Sequence, residues 1–169
     1  MKSAGIGRSA ADDRQAIAQQ IYLYCRAMDR MDVSLGYSIW HEDGEADYGA
    51  IFQGSGHGFI DFVNSGHADT HAHSHQVTNL IIFLDGDRAS SESYVTTALR
   101  MMDGEAEKQL TVRGRYLDRW SYRAGRWAID RRIFVHDFDD VRLVEPTGVP
   151  PGGRRDRSDP SYAVLGLQT

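Results

Sequence analysis

The sequence predicts an α+β fold, with helices first and then a curved antiparallel sheet that folds over the first helix and encloses a pocket. Three observations carry that expectation. Ile17, Ile21, Tyr24 and Met28 recur at helical spacing near the N-terminus. From His75 onward the pattern changes to long β-rich runs, closed in turn by Asp85-Gly86, Asp103-Gly104 and Ala124-Gly125. No internal repeat and no interdomain linker divides the 169 residues.

Element by element, residues 1–10 are small and polar and read as a flexible N-terminus, and residues 11–139 as the folded domain. Ser9 with Asp12 is a capping-box pattern, and Asp12 and Asp13 suit the positive end of a helix. Ala11 to Arg30 therefore reads as an amphipathic helix. Val33 to Trp40 suits a short second helix, capped by Ser34 or by Asp32. Glu45 to Gln53 reads as a strand with Gly54-Ser55-Gly56 as its turn. Gly58 to Gly66 places Phe59, Phe62 and Val63 at helical spacing and closes on a glycine. His75–Leu84, Arg88–Met101, Gln109–Tyr122 and Arg126–Phe138 then form a meander. The first of these runs is apolar on both faces beyond Asn79, which predicts a central strand with residues 75, 77, 79, 81 and 83 on one face. Residues 140–169 carry Pro146, Pro150, Pro151, Gly152 and Gly153 before an Arg-rich stretch, and read as an irregular tail.

Composition narrows the function. Hydrophobic residues make up 41% and charged residues 25% of the 19.0 kDa chain, which excludes disorder and coiled coil. Lys plus Arg number 19 against 24 for Asp plus Glu, a net charge of -5 without the basic footprint of a nucleic-acid partner. One cysteine, Cys25, excludes an internal disulfide and a cysteine-rich metal site. The longest apolar run, Leu80–Leu84, is too short for a membrane span, and Met1–Ala10 lacks a signal-peptide core. A cytoplasmic protein is the expectation. No Gly-x-Gly-x-x-Gly, phosphate-binding loop or Gly-x-Ser-x-Gly elbow is present, which argues against a nucleotide-dependent enzyme or a serine hydrolase.

Few residues remain as candidates for chemistry. Asp29 falls in the last turn of the first helix, against the negative end of the dipole and beside the core, where a carboxylate is unfavourable unless it has a partner. On spacing alone it turns outward to Arg26 or Arg30. His75 opens the first long strand, as a base or as a satisfied core histidine. His71, His73 and His75 could converge on zinc from one extended strand, but Ala68-Asp69-Thr70 before them reads as a helix end or loop, so no metal is expected. The hairpin around Arg113–Arg132 alternates charges as a solvated sheet face does, and one inward arginine there could hold an anionic leaving group.

These parts, taken in order, resemble the SnoaL-like branch of the nuclear transport factor 2-like superfamily. The resemblance is carried by Ala27-Met28-Asp29 ending the first helix, Ile39-Trp40-His41-Glu42-Asp43-Gly44, His75-x-x-x-Asn79 and Asp85-Gly86-Asp87-x-Ala89. Gly114-Arg115-Tyr116-x-Asp118 with Gly125-Arg126-Trp127-x-Ile129-x-Arg131-Arg132, and Asp159-Pro160-Ser161-Tyr162 near the C-terminus, complete it. It implies a cone of curved sheet on about three helices with a pocket inside. It further implies a homodimer or homotrimer. In dehydrochlorinase and dehydratase relatives an Asp and a His at the positions of Asp29 and His75 form a proton-abstracting dyad. That implies a cofactor-independent lyase or isomerase acting on a small apolar or aromatic ring compound. Tyr24, Trp40, Tyr48, Phe52, Phe59, Phe62 and Asn79 are the candidate pocket wall, and Arg123 and Arg131 the candidate pocket arginines. The branch also holds non-catalytic binding and assembly modules.

Overall fold

The computed structural model describes residues 8–145 and 147–167. The first helix, α1 (Ala10–Arg30), starts where the capping box places it. The Ser9 side chain accepts from the Asp12 N–H, and the Asp12 side chain accepts from the Ser9 backbone. It ends at Met31, whose left-handed φ of 51° lets its N–H reach back to the carbonyls of Ala27 and Met28. Its inward stripe of Ile17, Ile21, Tyr24, Ala27 and Met28 is buried, and each large side chain so buried contributes about 1.5–3 kcal/mol. Arg8, at the edge of the expected flexible N-terminus, is held by Asp13 and Asp87 and lies over the Tyr122 ring. Residues 1–7 of that N-terminus lie outside the described residues.

Helix α2 (Val33–Ser38) is capped by Asp32, whose carboxylate accepts from Leu35 N–H. Strand β1 (Trp40–Asp47) begins before the predicted Glu45. An irregularity between Trp40 and Glu45 hides the strand from a period-two reading. Residues 48–52 turn back, with Tyr48 N–H donating to Phe52 O, so the stretch assigned to strand is partly turn. The predicted turn Gly54-Ser55-Gly56 is mostly strand instead: β2 (Gln53–Ser55) pairs antiparallel with Glu45–Asp47. Ser55 then caps α3 (Gly56–Gly66). Gly56 is required there, because a Cβ would stand 2.2 Å from the Trp40 ring.

Four long strands complete the sheet: β3 (Ala72–Asp85), β4 (Arg88–Asp103), β5 (Ala106–Arg123) and β6 (Arg126–Leu143). The order is β2-β1-β6-β5-β4-β3, antiparallel except where β1 runs parallel to β6. The result is an open six-stranded sheet with α1, α2 and α3 packed on its inner face, an α+β cone. Strand β3 is therefore an edge strand, not a central one. Its predicted face alternation also fails, because Asn79 takes a left-handed φ of 50° at a break in register between Thr78 and Ile81. The bulge reverses the faces, so His75, Val77, Leu80, Ile82 and Leu84 point inward and Ile81 and Phe83 outward. The tail is less irregular than predicted: β6 runs to Leu143 and Pro160–Val164 forms a fourth helix, α4, capped by Asp159.

Candidate active site

The last turn of α1 meets the first residues of β3, and there the two predicted residues come together. Asp29 Oδ1 lies 2.6 Å from His75 Nδ1. Both carboxylate oxygens also accept the His75 backbone N–H, each at 3.1 Å. The carboxylate thus fixes both the backbone and the ring of the same histidine, and its contact with Nδ1 directs Nε2 away from the pair. The His75 side chain is 6% exposed and that of Asp29 17%, so the pair borders solvent. Tyr22, Cys25, Arg26, Arg30 and Val77 surround the pair in a cavity of about 300 Å³. A second cavity, of about 560 Å³, opens on the other side of Asp29 beneath the C-terminal segment and takes in His73 and Arg155.

The other histidines of the motif go elsewhere. His71 Nε2 contacts Glu107 Oε1 at 2.7 Å. His73 bonds Thr70, lies 3.4 Å from Met28 O through Nδ1 and packs against the tilted ring of His67. Among the described residues no group of three His, Cys, Asp or Glu side chains is arranged to hold a metal ion. Burial, reinforced to a smaller extent by the nearby His73, His75 and Arg155, brings His67 down from 6.5 to about 4. Burial also pushes the Cys25 thiol up to about 12, so it carries no thiolate at neutral pH.

Residues 9–133 match the model of the SnoaL-like domain. The chain belongs to the SnoaL-like family. No curated protein matches it by sequence. Solved structures that it resembles include a candidate scytalone dehydratase from Novosphingobium aromaticivorans, 21% identical over 82% of this chain and 95% of that one, TM-score 0.66. The hexachlorocyclohexane dehydrochlorinase LinA-type3 of Novosphingobium barchaimii is 22% identical over 82% and 94%, TM-score 0.67. The Rv3472 protein of Mycobacterium tuberculosis, of unknown function, is 24% identical over 95% and 90%, TM-score 0.64. At these identities the likeness is one of fold.

Within this SnoaL-like cone the expected aromatic wall is mostly packed core. Tyr24, Trp40, Tyr48 and Phe59 are buried. Tyr48 stacks on Phe59 at 3.8 Å between ring centres, and its hydroxyl lies 2.9 Å from that of Tyr24. Phe52 packs at the edge of this cluster, while Phe62 is 45% exposed. Asn79 points outward at the bulge. Arg123 and Arg131 are half-exposed on the opposite face, paired with Asp43 and Asp130 and with Glu45 and Asp47. The buried arginine is Arg132, not the expected Arg131 beside it. Its Nε and Nη2 hold Asp118 at 2.7 and 2.8 Å, and its guanidinium lies over the rings of Tyr24 and Tyr116. Burial opposes its charge, but Asp118, together with Tyr48 and Tyr24, outweighs that and holds its pKa well above the ordinary value. Alternation from the buried Trp127 and Ile129 points to Arg131; the register shift opposite Arg119 and Trp120 turns Arg132 inward instead, and no local pattern marks it.

Proposed function

We propose that the protein is a cofactor-independent lyase or isomerase in which His75 removes a proton from a small apolar or aromatic ring compound. The observation that carries this reading is the 2.6 Å contact of Asp29 with His75 Nδ1 beside an open cavity. With Nδ1–H engaged, Nε2 is the free base. It takes the substrate proton, and Asp29 stabilises the imidazolium that results. The C–H electron pair becomes the new double bond as a halide leaves, or as a hydroxyl takes the proton from the imidazolium and leaves as water. Where the proton comes from a hydroxyl group instead, the O–H electron pair becomes the carbonyl of a small aldehyde such as formaldehyde, the carbon–carbon bond breaks with its pair left on the ring carbon, and the imidazolium returns the proton to that carbon. In an isomerisation the imidazolium returns its proton to a different carbon. The family resemblance and the dehydratase and dehydrochlorinase names among similar structures support this class.

A second reading, a non-catalytic binding or assembly module, is favoured by one observation: Tyr24, Trp40, Tyr48 and Phe59 fill the interior that would hold a ring. Turnover decides between the two. On a ring substrate that the wild type converts, His75→Ala lowers the rate roughly a hundredfold or more while the fold survives. Retention of more than about half the rate would exclude proton abstraction by His75. The proposed assembly is a homodimer or homotrimer that covers the outer sheet face, where Ile81, Phe83 and Tyr94 are exposed. Light scattering that returns a monomer at micromolar concentration would exclude it. Among the described residues no helix is long and apolar enough to cross a membrane.

A further inference from the structure

The motif Asp159-Pro160-Ser161-Tyr162 has no part in the proton transfer, yet it folds against the end of α1 beside the dyad. Asp29 has two arginines as its nearest helical neighbours, Arg26 one turn before it and Arg30 next to it. On a helix surface, side chains at the spacing of Arg26 and Asp29 are close enough to pair. Here neither guanidinium reaches the carboxylate. Arg30 Nε lies 3.4 Å from Asp159 Oδ1, and Arg30 Nη1 meets only the Asp29 backbone carbonyl, at 3.3 Å. Arg26 Nη1 donates to Ser161 Oγ at 2.9 Å, and the guanidinium lies 4.7 Å over the Tyr162 ring.

The tail is anchored well enough to hold them. Asp159 is 5% exposed and accepts from the backbone N–H groups of Arg154 and Ser161 and from the Ser161 hydroxyl. Those bonds, with Arg30, hold its carboxyl far below the usual carboxylate range, so it is an anion at every relevant pH. Tyr162, 3% exposed, donates its hydroxyl to Asp32 at 3.0 Å, and Asp32 is itself the cap of α2. The tail is thereby fixed to the α1–α2 corner, one turn from Asp29.

We infer that Asp159 is a positioning residue: with Ser161 and Tyr162 it draws Arg30 and Arg26 aside and so leaves the Asp29 carboxylate to His75. A carboxylate has few acceptor positions, and both Asp29 oxygens are already engaged by two His75 donors, the shared backbone N–H and Nδ1–H. A guanidinium fork on the same oxygens would displace the single Nδ1–H bond, because the paired geometry is stronger. This role rests on the proton-abstraction reading for its purpose, but its geometry is independent of it.

The test reads the imidazole directly and needs no substrate. In protein labelled with ¹⁵N at histidine, the His75 ring nitrogens report whether the proton sits on Nδ1. In the wild type we expect the Nδ1–H form, and Arg30→Gln leaves it unchanged. Asp159→Asn keeps the cap but removes the charge that holds Arg30. There we expect the Nδ1–H population to fall by about half or more, with Nε2–H replacing it. The double variant Asp159→Asn with Arg30→Gln restores the wild-type signal, because the competitor is gone. If the signal is unchanged in Asp159→Asn, the inference is wrong. If it is lost equally in the double variant, Asp159 acts only by docking the tail, and the inference is also wrong. Should Asp159→Asn not fold, Ser161→Ala against Ser161→Ala with Arg26→Gln makes the same comparison on the other arginine, with the same two failing outcomes. A His75→Ala enzyme of undiminished rate would overturn the function and leave this result standing.

Discussion

Two carboxylates in this chain each hold a basic partner from another part of the fold, and they are built in opposite ways. Asp118 and Arg132 face each other across neighbouring strands in direct register, joined by two bonds, with both side chains fully sealed. Asp29 and His75 join the end of a helix to the start of an edge strand, at a rim that solvent reaches. The sealed pair contains a base that does not release its proton, so it can stiffen the interior but cannot exchange protons. The open pair contains the one side chain whose ordinary titration lies near neutrality. Burial together with the kind of base separates scaffold from chemistry, although both pairs look alike as a list of charges.

That contrast can be broken, and the most severe break is inside. Asp118→Ala leaves the Arg132 guanidinium buried without a counter-charge and should cost about 3–5 kcal/mol in urea unfolding. Replacing both partners by apolar residues, Asp118→Leu with Arg132→Met, should return most of that loss. At the rim the outcome reverses. Asp29→Asn should change stability by about 1 kcal/mol or less yet lower turnover roughly a hundredfold or more. If Asp29→Asn unfolds the protein and leaves turnover intact, the assignment of roles is inverted.

The next effect sharpens the contrast through pH. His67 titrates near 4 in the folded protein and near 6.5 when unfolded, so the unfolded chain binds its proton first. Its contribution is complete above pH 6.5 and is lost as the pH falls toward 4. Because the ring is partly exposed, the loss discounts to roughly 1–2 kcal/mol. Melting curves of His67→Gln between those limits should be flatter than those of the wild type. Next comes Tyr48→Phe, which removes the buried hydroxyl contact with Tyr24 and should cost about 1 kcal/mol. The smallest signal is chemical: Cys25, buried and with its thiol pushed up to about 12, should resist alkylation at pH 8 in the folded state and react once unfolded.

Much of this was legible in the sequence because it rests on local rules. The capping box fixed the start of α1 and the two-residue turns fixed the meander; Asp29 stood out as a carboxylate that demanded a partner, but spacing alone pointed to Arg26 or Arg30, and only the family resemblance pointed to His75. What escaped depends on pairing partners far away in sequence. Whether the run after His75 lies at the centre or the edge of the sheet depends on what pairs beside it, and apolar Ile81 and Phe83 suit either. Arg131 and Arg132 are told apart only by the register of β6 against β5, and that register slips between Arg119 and Trp120. Helix α4 is too short for a periodic signal, and its stability comes from Tyr162 seated against α1 and α2, which no local pattern announces.

The bulge at Asn79 turns the edge strand into a counting device. His75 and Leu84 are an odd number of positions apart, so in a regular strand they would stand on opposite faces, yet here both point inward. The extra residue restores parity between the half of the strand that carries His75 and the half that supports the core. Were Asn79 to pair as an ordinary strand residue, the chain would have to choose. With the histidine still inside, Ile81 and Phe83 would enter the core while Leu80, Ile82 and Leu84 turned out to solvent. Keeping those three inside would instead turn His75 away from Asp29. Deleting Asn79 outright escapes the choice: by the same count, His75, Val77, Leu80, Ile82 and Leu84 then alternate regularly on one face.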